Sequence, residues 1–198
     1  MKRFFDIVFS LITLTVFFPF GLLIALMIVC DTKGHVFYRQ MRVGRNNKDF
    51  LLYKFRTMNE EADHGSLITI GTNDTRVTKT GLFLRKYKID ELPQFFNILK
   101  GEMSIVGPRP EVRKYVDLYT PEQMNVLSVR PGLTDYASIR YVNENALLAA
   151  SDNPEQTYIQ EIMPDKLALN LKYIQEQSLW VDLKIILKTI AAIIHRGK

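Results

Sequence analysis

The sequence predicts a helix-rich α+β fold with a small sheet, preceded by an N-terminal membrane helix. Three observations carry that reading. Residues 7–30 hold no charged side chain, two short runs between 36 and 57 alternate as strands do, and apolar residues at helical spacing dominate the rest. The 198 residues leave room for one ordinary domain with its own core. Hydrophobic residues make up 47% and charged residues 24%, which excludes a disordered or low-complexity chain. A single cysteine, Cys30, excludes a disulfide framework and a multi-cysteine metal site.

Ile7 to Cys30, drawn as a straight helix, measures ~36 Å at ~1.5 Å per residue, against a bilayer core of ~30 Å. The run is too long for a signal-peptide core and no A-x-A-like site follows it. A core helix in so small a domain would rarely lack charge over such a length, so residues 1–32 read as membrane-associated. Pro19 lies near the middle, where it removes a helical hydrogen bond and clashes with the preceding turn, so a sharp bend is expected there. Lys2 and Arg3 precede the segment, and Lys33, Arg39, Arg42 and Arg45 follow it. Positive flanks favour the cytoplasmic side. A spanning helix satisfies one flank, and a re-entrant helix bent at Pro19 satisfies both; the residues alone admit either.

Residues 36–43 and 50–57 read as strands joined across Gly44-Arg45-Asn46-Asn47, a hairpin. Residues 59–75 are polar and read as loop. A short helix is predicted over Gly81 to Lys88 and another over Glu91 to Lys100, with Leu92, Phe95, Phe96 and Leu99 on one face and Gly101 beyond its end. Met103 to Val106 is strand-like and leads into Gly107-Pro108-Arg109-Pro110. Further helical stretches are predicted at 110–118, 121–128, 143–150 and 155–176. Leu179, Leu183, Ile186, Leu187, Ile190 and Ile194 then recur at helical spacing, with Lys184 and Lys188 on another face. Trp180, His195, Arg196 and Lys198 suit interfacial anchors; a helix packed on the core has the same periodicity. Without repeats or a long Gly/Ser or Pro linker, residues 33–198 read as one domain.

The net charge of +5 is modest but unevenly placed: residues 33–60 and 76–114 each sum to +5, and 115–165 to −6. Two basic blocks suit an anionic partner. Nucleic acid is disfavoured, because the net charge is small and no aromatic-basic platform is present. In Lys88-Ile89-Asp90-Glu91-Leu92-Pro93-Gln94, Pro93 belongs in the first turn of a helix. That places Asp90 at the N-cap and Glu91 in the first turn, where backbone N–H groups hold a carboxylate ionised and can donate to phosphate oxygens. A carboxylate so poised can attack phosphorus; an ordinary capped helix has the same residues. Arg109 is bracketed by two prolines, Lys54 and Arg56 share one strand face, and Arg130 opens the turn Arg130-Pro131-Gly132. Each is common in surface turns and solvated strands, and each also suits phosphate binding.

These segments are carried in longer runs by which the chain resembles the monotopic phosphoglycosyl transferases, bacterial sugar transferases that begin surface-glycan assembly on a polyprenol carrier. The likeness covers nearly the whole chain. It is densest in Tyr38-Arg39-Gln40-Met41-Arg42-Val43-Gly44, in YKFRTM at 53–58, in DELPQFFNILKGEMSIVGPRP at 90–110 and in RPGLT at 130–134. With no large multi-span region ahead of it, the chain is similar to the family's minimal form.

The resemblance implies transfer of a phosphosugar from a UDP-sugar to undecaprenyl phosphate, with release of UMP. It implies Asp90 as nucleophile through a phosphosugar-aspartyl intermediate, assisted by Glu91, with Mg²⁺ held by Asp90 and Glu91. Lys54, Arg56, Arg109 and Arg130 are implied to bind phosphate groups. The scattered His35, His64 and His195 argue against zinc. A re-entrant helix kinked at Pro19 is likewise implied, with 33–198 as a catalytic domain on the cytoplasmic face of the bacterial inner membrane, against its lipids. A homo-oligomer is compatible with this arrangement.

The chain departs from the family pattern twice. Phe18 precedes Pro19 where Ser is common, and Asp135 to Tyr141 replaces an Asn-Gly-Arg run, which suits a different sugar preference. The alternative reading is a non-catalytic membrane-anchored adaptor that binds anionic lipid or protein.

Overall fold

The computed structural model describes residues 1–59 and 74–196, so most of the loop predicted at 59–75, His64 included, lies outside the described residues. Helix α1 runs from Lys2 to Asp31, 30 residues with Pro19 in its interior, or ~45 Å if straight. Pro19 does not interrupt it. Both ends of α1 dock on the same body. Near its start, Arg3 donates to the carbonyls of Ile98 and Leu99 and Lys2 pairs with Asp182. One turn on, the buried Asp6 carboxylate accepts from Ser104 Oγ at 2.9 Å and from the Ile105 N–H at 3.2 Å. Near its end, Ile24 and Ile28 pack against Phe55 and Leu84, and Asp31 accepts from the Thr80 N–H at 2.8 Å. Residues 15–20, between these docks, are all exposed.

The predicted hairpin is present: β1 (Phe37–Val43) pairs antiparallel with β2 (Asp49–Phe55), from Phe37 opposite Phe55 to Val43 opposite Asp49. Asn46 and Asn47 supply the left-handed backbone of its turn, a conformation asparagine tolerates better than most residues. Helix α2 spans Lys79–Lys86, two residues ahead of the predicted start, because the Thr78 side chain caps it by accepting from the Gly81 N–H. Helix α3 is Gln94–Lys100 and ends at Gly101 with φ 88°, the left-handed terminator the sequence indicates.

Strand β3 (Ser104–Val106) is followed by α4 (Arg113–Val116), a 3₁₀ turn at Gln123–Ser128 and strand β4 (Gly132–Thr134). Strands β3 and β4 pair in parallel, Ser104 beside Gly132 and Val106 beside Thr134. RPGLT reads as loop from sequence, and a three-residue strand has no period to betray it. The pairing brings Gly107 and Gly132 into backbone contact. A Cβ on Gly132 would lie 2.1 Å from the Gly107 nitrogen, and one on Gly107 2.5 Å from the Arg130 carbonyl oxygen. Helix α5 (Tyr136–Arg140) occupies the divergent segment. It is followed by α6 (Glu144–Ala149), α7 (Pro154–Thr157), a π-helical turn at Tyr158–Ile162, and α8 (Met163–Glu176).

Two apolar cores result. One gathers Phe50, Leu52, Phe95, Ile98, Met103 and Tyr173 beneath the hairpin; the other gathers Val112, Tyr115, Leu148, Tyr158 and Leu167 beneath α6 and α8. The last helix, α9 (Leu179–Arg196), combines both readings of its periodicity. Ile185 is fully buried in the first core, while Trp180, Leu183, Leu187, Ile190 and Ile194 face outward. On α1, Val16, Phe18, Leu22 and Leu23 are exposed in the same manner. Gly132→Ala is expected to destabilise the fold by ~3 kcal/mol or more, because the added methyl meets backbone that cannot yield. Urea denaturation measures this, and a loss under ~1 kcal/mol would show that the β3–β4 contact is looser than described.

Candidate active site

The segment between α2 and α3 differs from the predicted helix start. Lys88 is left-handed, with φ 58°, and Ile89–Glu91 form a 3₁₀ turn. Pro93, not Asp90, occupies the N-cap of α3. Asp90 therefore receives no capping N–H. It is 6% exposed, and its Oδ1 is buried without a hydrogen-bond partner among the described residues. Burial pushes the Asp90 carboxyl above the usual carboxylate range; Lys54 opposes that rise and neighbouring Glu91 adds to it. The helix start predicted from sequence would have held this carboxylate ionised, and its absence reverses the sign.

Glu91 is the opposite case. Its carboxylate accepts from the Arg109 guanidinium, at 3.3 Å on Oε2 and by a shorter contact on Oε1, and from Lys54 Nζ at 3.2 Å. Burial opposes its ionisation, but Arg109 and Lys54 outweigh burial and hold Glu91 well below the usual range. Glu91 in turn raises the pKa of Arg109. Lys54 is lowered by burial in spite of Glu91. The three side chains form a charge cluster beside a carboxyl that has no ion-pair partner among the described residues.

Arg109 is presented by the β3–β4 junction. Its N–H donates at 3.1 Å to Asp135 Oδ2, and the same fully buried carboxylate accepts from the Ser138 N–H at 2.6 Å to cap α5. Asp135, in the divergent segment, thus ties the Gly-Pro-Arg-Pro turn to β4. Lys54 comes from β2, directly across from Tyr38.

The structure brings Asp90, Glu91, Arg109 and Lys54 together on the wall of one cavity of about 1000 Å³. Arg56 also reaches this wall, but its guanidinium donates to the Thr32 carbonyl at 2.7 Å and to that of Lys33. Carbonyls in the last turn of a helix and just beyond it have no partner within that helix, and a cation there also complements its dipole. Arg56 therefore clamps the end of α1 instead of offering its fork to a phosphate. Arg130 lies outside the cavity, and its Nε donates to the Gly101 carbonyl at 2.8 Å.

Among the cavity arginines that escaped sequence reasoning are Arg85 and Arg42. Arg85 on α2 donates to Thr57 Oγ1 at 2.8 Å, and its charge favours ionisation of Asp90. Arg42 pairs with Glu111 at 3.1 Å, whose other oxygen accepts from Tyr158. Period-two spacing of Gln40 and Arg42 on β1 was the available signal for the second. Arg85 had none, since only the packing of α2 turns it inward.

Among the described residues there is no cluster of three or more His, Cys, Asp and Glu side chains that would cage a metal. Mg²⁺ needs no such cage, since one or two carboxylates with substrate phosphates and water suffice. The unpartnered Asp90 Oδ1 next to Glu91 fits that requirement, with Asp90 the freer of the two because Glu91 is engaged by Arg109 and Lys54.

The profile of the bacterial sugar transferases matches residues 1–196. The chain belongs to that family. An Aeromonas hydrophila protein named UDP-N-acetylgalactosamine-undecaprenyl-phosphate N-acetylgalactosaminephosphotransferase is 38% identical over 197 residues, covering 98% of this chain and 44% of its own length. A Caulobacter vibrioides protein named UDP-glucose:undecaprenyl-phosphate glucose-1-phosphate transferase is 37% identical over 196 residues, covering 98% of this chain and 69% of its own. The exopolysaccharide production protein ExoY of Rhizobium meliloti is 36% identical over 212 residues, with 99% and 87% covered. The chain thus spans less than half of the Aeromonas relative and most of the other two.

Burial makes the ionised form of Asp90 costly to the fold. The fold tolerates the group fully while it is protonated and loses stability as pH rises through the elevated pKa. Asp90→Asn is therefore expected to melt above the wild type at pH 8 in EDTA, with the gap closing as pH falls and Asp90 takes up its proton. Thermal melts across pH check this, and a variant melting at or below the wild type at pH 8 would contradict the assigned environment.

Proposed function

We propose that this family member transfers a sugar 1-phosphate from a UDP-sugar to undecaprenyl phosphate and releases UMP. The observation that carries the reading is the unpaired, buried Asp90 carboxyl set against the Arg109–Glu91–Lys54 cluster. An adaptor binding lipid headgroups has no use for a buried carboxyl whose Oδ1 lacks a hydrogen-bond partner among the described residues, which costs folding free energy. The named activities of the Aeromonas and Caulobacter relatives supply donor and acceptor class: a UDP-sugar and undecaprenyl phosphate.

In the first step an Asp90 oxygen bonds to the sugar-linked phosphorus, the bond to the bridging diphosphate oxygen breaks, and UMP leaves with the electron pair. In the second, an oxygen of the polyprenyl phosphate bonds to the same phosphorus and Asp90 departs as the carboxylate. The product is a polyprenyl diphosphate-sugar. Arg109 and Lys54 hold the phosphoryl oxygens in both steps, and Glu91 keeps both cations charged and oriented. A raised pKa makes the Asp90 carboxylate the stronger nucleophile once ionised. Mg²⁺ would be held by Asp90 and Glu91 and would supply charge neutralisation for the phosphates and the departing UMP.

The membrane reading rests on α1. Its apolar side chains face outward, and its two ends are pinned to one body by Asp6 at one end and by Arg56 at the other. Two pinned ends with an exposed stretch around Pro19 support a helix that dips into one leaflet and returns. The domain then sits on the cytoplasmic face, where a soluble nucleotide sugar meets a lipid phosphate.

Measured as UMP release with undecaprenyl phosphate and Mg²⁺ in detergent or nanodiscs, Asp90→Asn is expected to lose at least ~10³-fold in rate, the order seen when a catalytic group is removed. EDTA is expected to silence the wild type and excess Mg²⁺ to restore it. Retention of activity within ~10-fold by the variant, or indifference to EDTA, would count against this chemistry.

A further inference from the structure

The cavity lining draws on two groups of elements beyond the side chains that the proposed mechanism uses. One end lies against the exit of α1 and against α2, lined by His35, Phe37, Met58, Arg85 and Lys88; the nearby surface of α2 exposes Leu82, Phe83 and Tyr87. The other end runs under α6 and α8, lined by Tyr119, Tyr141, Glu144, Leu148, Lys166 and Asn170. We propose that the α6–α8 end is the subsite for the transferred sugar, with Asn170 as the side chain that sets donor selectivity. The inference rests on the two-step transfer through Asp90.

The geometry of displacement at phosphorus assigns the ends. Entering and leaving oxygens lie roughly in line about the phosphorus, so UMP leaves on the face opposite Asp90. When the acceptor phosphate displaces Asp90 in turn, it must arrive through that same face. The acceptor's tail stays in lipid, and α1 and α2, both of which expose apolar side chains, border the first end. Nucleotide phosphate and acceptor phosphate therefore use that end in succession, and its arginine and lysine suit phosphates of both. The sugar stays on phosphorus through both steps and cannot occupy the path they share. The α6–α8 end remains for it.

The chemistry of that end fits an uncharged pyranose. Its charges are internally paired, Lys166 with Glu144 at 3.0 Å, and Leu148 closes its floor. Tyr141 is fixed by donating to Asp165 at 2.7 Å. Asn170 is only 5% exposed, yet its Oδ1 has no hydrogen-bond partner among the described residues. A buried acceptor left unsatisfied costs stability, and a sugar hydroxyl or an acetamido N–H would satisfy it. A site built to hydrogen-bond one substituent rejects the analogue that lacks it.

The test compares kcat/KM for UDP-hexoses and UDP-N-acetylhexosamines, read by UMP release, in the wild type and in Asn170→Ala. The variant is expected to lose ~10- to 100-fold on the preferred donor, the worth of one buried hydrogen bond, and to discriminate less among donors. The inhibition constant of UMP and the KM for undecaprenyl phosphate are expected to stay within ~2-fold. Which donor suffers most tells hydroxyl from acetamido recognition. Unchanged selectivity, or a UMP inhibition constant that rises in step with the lost kcat/KM, would overturn the assignment, the latter by placing uridine there. Should Asn170→Ala not fold, Asn170→Ser and Leu148→Phe, which shortens the polar reach and fills the floor, read out the same ratios. A wild type that releases no UMP from any donor would defeat the transfer reading itself, a failure distinct from loss of the subsite.

Discussion

One carboxylate, Glu91, holds two cations from distant parts of the chain at a single point. Arg109 arrives from the β3–β4 junction and Lys54 from the hairpin, and Glu91 bonds to both within a buried wall. Removing Glu91 would leave two part-buried cations side by side without a counter-charge, which destabilises the fold. The cluster thus fixes the register of three segments that share no local sequence. Its neighbour Asp90 keeps an Oδ1 with no hydrogen-bond partner among the described residues, so two carboxyl groups joined by a single peptide bond sit in opposite environments. Opposite pKa shifts on adjacent acids are how one site keeps two roles apart.

The same economy governs how α1 is attached. Asp6 joins the first turns of α1 to β3, the strand that leads directly into Gly107-Pro108-Arg109. At the other end Arg56, one residue past β2, grips the last carbonyls of α1. Lys54, two residues earlier, belongs to the charge cluster. Both attachments of the apolar helix therefore sit within a few residues of a side chain of the charge cluster, so the placement of α1 and the shape of the cavity wall are coupled through short segments.

Much of this was legible in the sequence, for identifiable reasons. The hairpin announced itself through alternation and the Asn46-Asn47 turn, α1 through its uncharged run, and α3 through its apolar face and Gly101. Asp90, Glu91, Lys54 and Arg109 were all singled out and do meet. Capping logic misplaced Asp90, because Pro93 begins α3 later than its tolerance of the first turn suggested, and Lys88 turns left-handed to make room. Arg56 and Arg109 look alike as letters; only the position of α1's last carbonyls decides that one is a clamp. The parallel pairing of β3 with β4 depends on two glycines 25 residues apart, a contact no local period encodes. Asn170 carried no motif at all, and its significance appears only when its burial and its empty acceptor are seen together.

The central claim is that Asp90 becomes covalently attached to the phosphosugar during turnover. Intact-mass and peptide mass spectrometry of wild-type protein, quenched after mixing with UDP-sugar and Mg²⁺ but no acceptor, tests it most directly. The expected result is a mass increase equal to one sugar phosphate, located on the peptide containing Asp90 and discharged when undecaprenyl phosphate is added. Product formation with no adduct at any time, or an adduct on another residue that the acceptor discharges, would contradict it.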